Sequence, residues 1–243
     1  MQTAPRFDID MDALWHDPYP QLARLRAEAP VAFVPQLDGI VFTRRDDIDI
    51  WEKRIDIFSS EQPGGLMTRL MGQNMMRHDG DAHQSQRRAM QPAVSPRAVQ
   101  RHWRNAFREA AVRVLDELAP KGRADLCTDY AMTLSGEALR LITGLDNVTA
   151  HEMDAHSQAM IDGISNYAGD ADTEARCVAA VAALDRAIGD RLADFAASPP
   201  DPESAAGVSV IAVLQRSAAS TSQIHANVKL VISGGQNEPR DAI

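Results

Sequence analysis

Most of this chain returns its apolar residues at helical spacing, and that confines it to a helical fold. The clearest run opens at Pro96 and carries Val99, Trp103, Phe107, Ala110, Val114 and Leu118 on one face. It closes at Pro120-Lys-Gly122. A second run spans Leu126 to Thr143 and stops at Gly144; a third covers His151 to Ile161. Glu174 to Ala197 is long and Ala-rich. Beyond the loop Ser198-Pro-Pro-Asp-Pro-Glu203 come a short helix over Val208 to Arg216 and a last one from Ser222 to Ile232, with Ile224, Val228 and Val231 as its stripe. Asp81 is the expected N-cap of an earlier helix reaching Met90.

Strand signals occur only near the N-terminus. Pro18 to Ala29 predicts a helix, with Pro at its tolerant first position and Pro30 as its stop. Val31 to Val34 and Ile40 to Thr43 are short apolar runs around Leu37-Asp-Gly39, a hairpin signal. Arg45 to Lys53 then reads as a short amphipathic helix with Ile48 and Trp51 spaced three apart. The expected class is therefore mainly α with a small N-terminal β-sheet. Residues 1–243 show no repeat and no internal domain boundary; the Pro-rich loop near 199 is a surface connection, because the helical pattern resumes at once. Aromatics are only 5%, so the core must be built from Ala, Leu, Val, Ile and Met.

Charge and cysteine usage narrow the function classes. A net charge of −9 leaves no cation surplus to displace counterions from nucleic acid. All but Lys53, Lys121 and Lys229 of the 25 basic residues are Arg, the better fork for carboxylates, though genome bias gives the same ratio. Cys127 and Cys177 stand far apart with no C-x-x-C pair, which fits a reducing cytoplasm and small helix-packing residues. The first eight residues have no signal-peptide core, and no apolar run approaches the roughly 18 residues of a membrane anchor.

Three segments stand out chemically. Residues 59–80 mix Ser, Pro and Gly with Leu66, Met67, Leu70, Met71, Met75 and Met76. Such a segment either covers an apolar ligand or packs its methionines into the core. His83 and Arg87 are four apart on the following helix, so they form either a donor pair for an acidic ligand or part of a solvated face. Finally, Gly234 and Gly235 interrupt a helical pattern at roughly 1 kcal/mol each, and Pro239 follows in Ile232-Ser-Gly-Gly-Gln-Asn-Glu-Pro-Arg-Asp241. The helix is either bent there, letting a flat ligand approach the backbone, or ends at Gly234. His78/His83 and His151/His156 are five apart and form no i, i+4 metal face; G-x-S-x-G, P-loop and G-x-G-x-x-G motifs are absent. Gly163 and Gly169 read as loop residues.

The order of these features resembles the N-terminal half of a soluble bacterial cytochrome P450. The resemblance runs through Asp17-Pro-Tyr-Pro20, Leu25-Arg-Ala-Glu-Ala-Pro-Val31, Val41-Phe-Thr-Arg-Arg-Asp-Asp-Ile48 and Phe58-Ser-Ser60. It continues in His83-x-x-x-Arg87, Ser95-Pro-Arg97 and Gly234-Gly-Gln-Asn-Glu238, in collinear order over the whole chain. It implies a monooxygenase that uses haem b to insert one oxygen atom of O2 into an apolar small-molecule substrate. Electrons would come ultimately from NAD(P)H through a ferredoxin and reductase, or through a fused reductase. His83 and Arg87 match the positions that bind haem propionates. Gly234 and Gly235 match the helix over the distal face, with Asn237 and Glu238 standing where the family places an acid and a threonine. The family's E-x-x-R pair and haem-ligating cysteine loop have no match up to Ile243, so the axial cysteine is expected beyond residue 243 and no metal ligand within the chain. The residues present are expected to be inactive alone. The alternative is a non-catalytic helical module that binds a ligand or partner without haem.

Overall fold

The computed structural model describes residues 4–243, packed as two compact units, one ending at Ser59 and one spanning Ser60–Ile243. The structure is 69% helical, with one two-stranded antiparallel sheet.

In the first unit, α1 (Met11–His16) is capped by Asp10, whose side chain accepts from the Ala13 amide. This helix was not apparent in the sequence pattern. Asp17 caps α2 (Pro18–Glu28) in the same way, so each aspartate satisfies one orphan amide. β1 (Val31–Val34) pairs with β2 (Gly39–Phe42) in the register Val31↔Phe42 to Val34↔Gly39. The connection is a 3-10 turn over Pro35–Leu37 followed by Asp38 at φ 47°. Asp tolerates that left-handed conformation better than most residues. Residues 5–7 add a parallel bridge to Phe33 on the free side of β1. Phe7, Ile9, Leu25, Ala29, Ala32 and Val34 form this unit's core. α3 (Arg45–Trp51) follows, and its Trp51 meets Phe58 edge-on, as Phe42 does.

The second unit is a helical assembly. It contains α4 (Leu66–Met71), α5 (Gly80–Val94), α6 (Pro96–Ala98), α7 (Arg104–Leu118), α8 (Met132–Thr143) and α9 (Ala150–Ile164). It ends with α10 (Ala171–Ala197), α11 (Val210–Arg216), α12 (Thr221–Gly235) and α13 (Asn237–Ala242). Two single π-type turns, Val99–Trp103 and Leu126–Ala131, lead into α7 and α8. Gly144 ends α8 at φ 86°, and its amide returns to the Arg140 carbonyl.

Several sequence expectations are corrected here. α5 starts at Gly80 rather than after Asp81, and the Asp79 side chain before it accepts from the Ser60 amide instead of capping the helix. α5 also runs past Met90 to Val94 with Pro92 inside it. The Ala93 carbonyl near that proline accepts the Trp103 indole N–H at 2.6 Å. Gly163 is no loop residue. It lies buried inside α9, where a Cβ would overlap Cys177 Sγ on α10. Cys177 is thus a packing residue, whereas Cys127 is exposed. The 59–80 segment holds α4 and a 3-10 turn over Met75–Arg77. Met71 is buried and Met67, Leu70 and Met75 pack against the core, so most of its methionines serve packing; Met76 is exposed.

α12 is the central helix. In place of one stripe it buries Ile224, Ala226, Asn227, Val228, Lys229, Leu230, Ile232 and Ser233, residues on all sides. Its buried cation is matched: Lys229 Nζ donates to Asp185 Oδ1 at 2.7 Å, and His225 Nδ1 meets the same oxygen at 2.9 Å. Desolvation of Asp185 raises its pKa, but these two partners outweigh it and bring the carboxyl below its ordinary value.

Candidate functional site

The helix carrying Gly234 and Gly235 does not end at the first glycine. α12 passes through both, breaks at Gln236 (φ −96°, ψ −50°) and resumes as α13. Pro239 falls in the first turn of α13, where its missing N–H costs least. A Cβ on Gly235 would press on Leu139 at 3.0 Å, whereas Gly234 is exposed with open space around it. Asn237 is half-buried, and its Oδ1 is buried with no partner among the protein atoms. Glu238 is exposed. Arg240 turns away from it to pair with Asp154 at 3.3 Å and Asp241 at 3.4 Å.

His83 and Arg87 lie on α5, whose inner face buries Gln86, Met90 and Ala93. His83 Nδ1 meets the Met75 carbonyl at 2.8 Å. A carbonyl only accepts, so Nδ1 carries the proton, and the remaining Nε2 can donate only when the ring is imidazolium. The Met75 amide is held from the opposite side by Asn227 Oδ1 at 2.9 Å. Asn227 in turn donates Nδ2 to Gln86 Oε1 and to the Gln223 carbonyl, each at 2.8 Å. Both backbone groups of Met75 are therefore fixed, one by α5 and one by α12.

That clamped turn borders a cavity of about 560 Å3 between Met75 and the α5 residues Arg87, Arg88, Met90 and Val94. Arg87 is on its wall and His83 acts behind it, through Met75. Gly235 and Pro239 line a different, apolar cavity of about 380 Å3 with Leu139, Val231 and Phe107. The sequence-predicted residues thus fall into two groups, Arg87 with its neighbours and the helix break.

The first group suits a flat apolar acid. Arg87 and Arg88 supply cationic forks and the methionines an apolar wall. Arg77, on the same 3-10 turn as Met75, keeps a buried Nε with no acceptor in the protein. Neither cysteine lines this cavity, and no cluster of three metal-ligating side chains occurs among the described residues. Sequence reasoning missed Arg77, Asn227 and Gln236. The signal for Asn227 was a polar residue inside an otherwise apolar helical run.

Comparison with known proteins then identifies the fold. No family model matches the chain. A cytochrome P450 from Mycobacterium marinum in complex with pseudoionone superposes with a TM-score of 0.76, at 20% identity, over 99% of this chain and 63% of its own. P450BioI, in complex with an acyl carrier protein ligated to hexadec-9Z-enoic acid, gives 0.74 at 15% identity over 92% of this chain and 58% of its own. The chain has the bacterial cytochrome P450 fold. By sequence it is 28% identical over 144 residues to a C-19 steroid 1alpha-hydroxylase of Sorangium cellulosum strain So ce56, which is 58% of this chain and 36% of that protein. It therefore spans a little over half of these solved P450 chains and about a third of the curated relative, and matches an N-terminal portion of the P450 fold. No helix among the described residues is long and apolar enough to cross a membrane.

Proposed function

We propose that this chain is the N-terminal portion of a haem-dependent monooxygenase that inserts one oxygen atom of O2 into an apolar organic substrate. The observation that carries the reading is the clamped Met75 turn, which sets an apolar wall beside the Arg87 and Arg88 donors on a P450 fold.

Haem, when bound, supplies the oxygen-activating chemistry. Arg87 holds a propionate directly. His83 supports it by fixing Met75, and as imidazolium offers Nε2 as a further donor. Gly234 has open space where a side chain would stand, so the backbone there would admit a flat ligand closely, whereas Gly235 is packed on Leu139. Asn237 and Glu238 would then face the distal side of the haem. Glu238 is the titratable group of the break, and Arg240 leaves it free to carry protons because Asp154 and Asp241 take that guanidinium. Both compact units belong to one P450 domain, working in the cytoplasm with a ferredoxin and reductase or a fused reductase, and with NAD(P)H as the electron source. Residues 1–243 alone do not hydroxylate substrate, because neither Cys127 nor Cys177 lies at the cavity to provide a thiolate. That same observation favours the second reading, a helical ligand- or partner-binding module without haem.

A haem titration separates the two. The monooxygenase reading expects saturable binding by the full-length gene product, weakened about tenfold or more in Arg87→Ala with helicity unchanged. Equal haem retention by both proteins contradicts the assignment of Arg87, and no binding by either favours the module.

A further inference from the structure

Ile232, Gln236 and Arg240 are spaced four apart and form a row across the break between α12 and α13. α9 grips this row with Asp154 and Ser157, which are three apart and share a helix face. Ser157 Oγ donates to the Ile232 carbonyl at 3.1 Å. Gln236 has no exposed surface; its Nε2 donates to Asp154 Oδ1 at 2.9 Å and to the Met132 carbonyl at 3.4 Å. Arg240 Nη1 donates to the same Asp154 oxygen at 3.3 Å. The Arg240 and Asp154 side chains are only 28% and 17% exposed, so water competes weakly for this bond. One carboxylate oxygen on α9 therefore holds the residue in the break and a residue after it.

The helix needs such a hold. Pro239 offers no N–H to the turn before it, which removes one bond that would keep α13 in line with α12. The grip is also connected outward. Gly163 of α9 lies against Leu70 of α4, on the methionine-rich segment, and α9 and α4 pack together.

We propose that Asp154 is a positioning residue: through Gln236 and Arg240 it sets the angle of α13, and so the place of Asn237 and Glu238. It links that angle to α9 and, through α9, to α4. The importance of that angle for catalysis rests on the function proposed above; the hold itself does not.

Amide hydrogen exchange on the 243-residue chain reads the hold without haem. Asp154→Ala should speed exchange over residues 237–243 about tenfold while α10 and α11 keep their rates. Asp154→Asn keeps an acceptor for Gln236 and should restore part of the protection. Arg240→Gln added to Asp154→Asn should cost no more protection than Arg240→Gln alone, since both remove one ion pair. Uniform acceleration through the helices, no acceleration, or additive effects in the double variant overturns the proposal. If Asp154→Ala does not fold, the asparagine and double variants decide by the same criterion. Haem retention by the same variants of the full-length gene product reports separately on the monooxygenase reading. Local loosening with no haem bound by any of them, parent included, would sink that reading and leave the hold intact.

Discussion

Replacing Asn227 with alanine tests how the site is built. Asn227 has no exposed surface and makes three side-chain bonds, accepting from the Met75 amide and donating to Gln86 and the Gln223 carbonyl. Alanine strands the Met75 N–H and Gln86 Oε1, while the Gln223 carbonyl loses only a second donor. A stranded buried group costs about 1–3 kcal/mol, so two come to about 2–6 kcal/mol. A domain of this kind has about 5–15 kcal/mol in total, so the variant should unfold at clearly lower urea concentration with unchanged m-value. Amide exchange at Met75 should rise more than at α10, because the turn loses one of its two anchors. His83 keeps the other. A loss below about 0.5 kcal/mol, within the range of an ordinary surface substitution, refutes the claim that Asn227 clamps the cavity-lining turn.

Four further outcomes follow from other parts of the molecule. Gly163→Ala should destabilise by about 1–3 kcal/mol through overpacking against Cys177, and Cys177→Ala should recover part of the loss in urea melts; an unaffected midpoint contradicts the close α9–α10 contact. Burial holds the His156 imidazole below its ordinary value, with Glu152 opposing weakly. The unfolded chain then takes up its proton first as pH falls, so stability is full above about 6.5 and declines below it. His156→Gln should flatten that slope. The Asp185 carboxyl, lowered by His225 and Lys229 against its desolvation, acts at a lower range. Its contribution is present above the ordinary carboxylate value and lost as pH falls through the depressed one, and Asp185→Asn should remove this acid sensitivity. In the full-length enzyme, Glu238→Gln should keep haem and substrate binding but divert reducing equivalents to peroxide; coupling equal to the parent's leaves Glu238 a structural role.

Much of the fold was legible because its boundaries are set by local chemistry. Pro18, Pro96 and Gly144 start or stop helices where the backbone requires it, and the Asp38-Gly39 turn joins the two strands. The start of α5 was misplaced because Asp81 reads as a cap in the sequence, whereas the helix begins at Gly80 after Asp79, whose side chain accepts from the Ser60 amide. The π-type turns and the all-round burial of α12 depend on neighbours remote in sequence, so periodicity does not show them. Gly163 looks like a loop glycine until Cys177 is packed on it. The site was legible as motifs and not as geometry. His83 and Arg87 lie four apart on α5, yet only Arg87 lines the cavity, and His83 spends Nδ1 on Met75, a contact eight residues away. The break at Gln236 followed from its glycines, while its anchor Asp154 lies 82 residues earlier.

The central claim is that these residues form the N-terminal part of a haem–thiolate monooxygenase. The most direct measurement is the absorption spectrum of the reduced full-length gene product under carbon monoxide. The account predicts the red-shifted Soret band of a thiolate-ligated ferrous–CO complex, which residues 1–243 reconstituted with haem lack. Absence of that band from the full-length product, or its appearance in residues 1–243 alone, contradicts it.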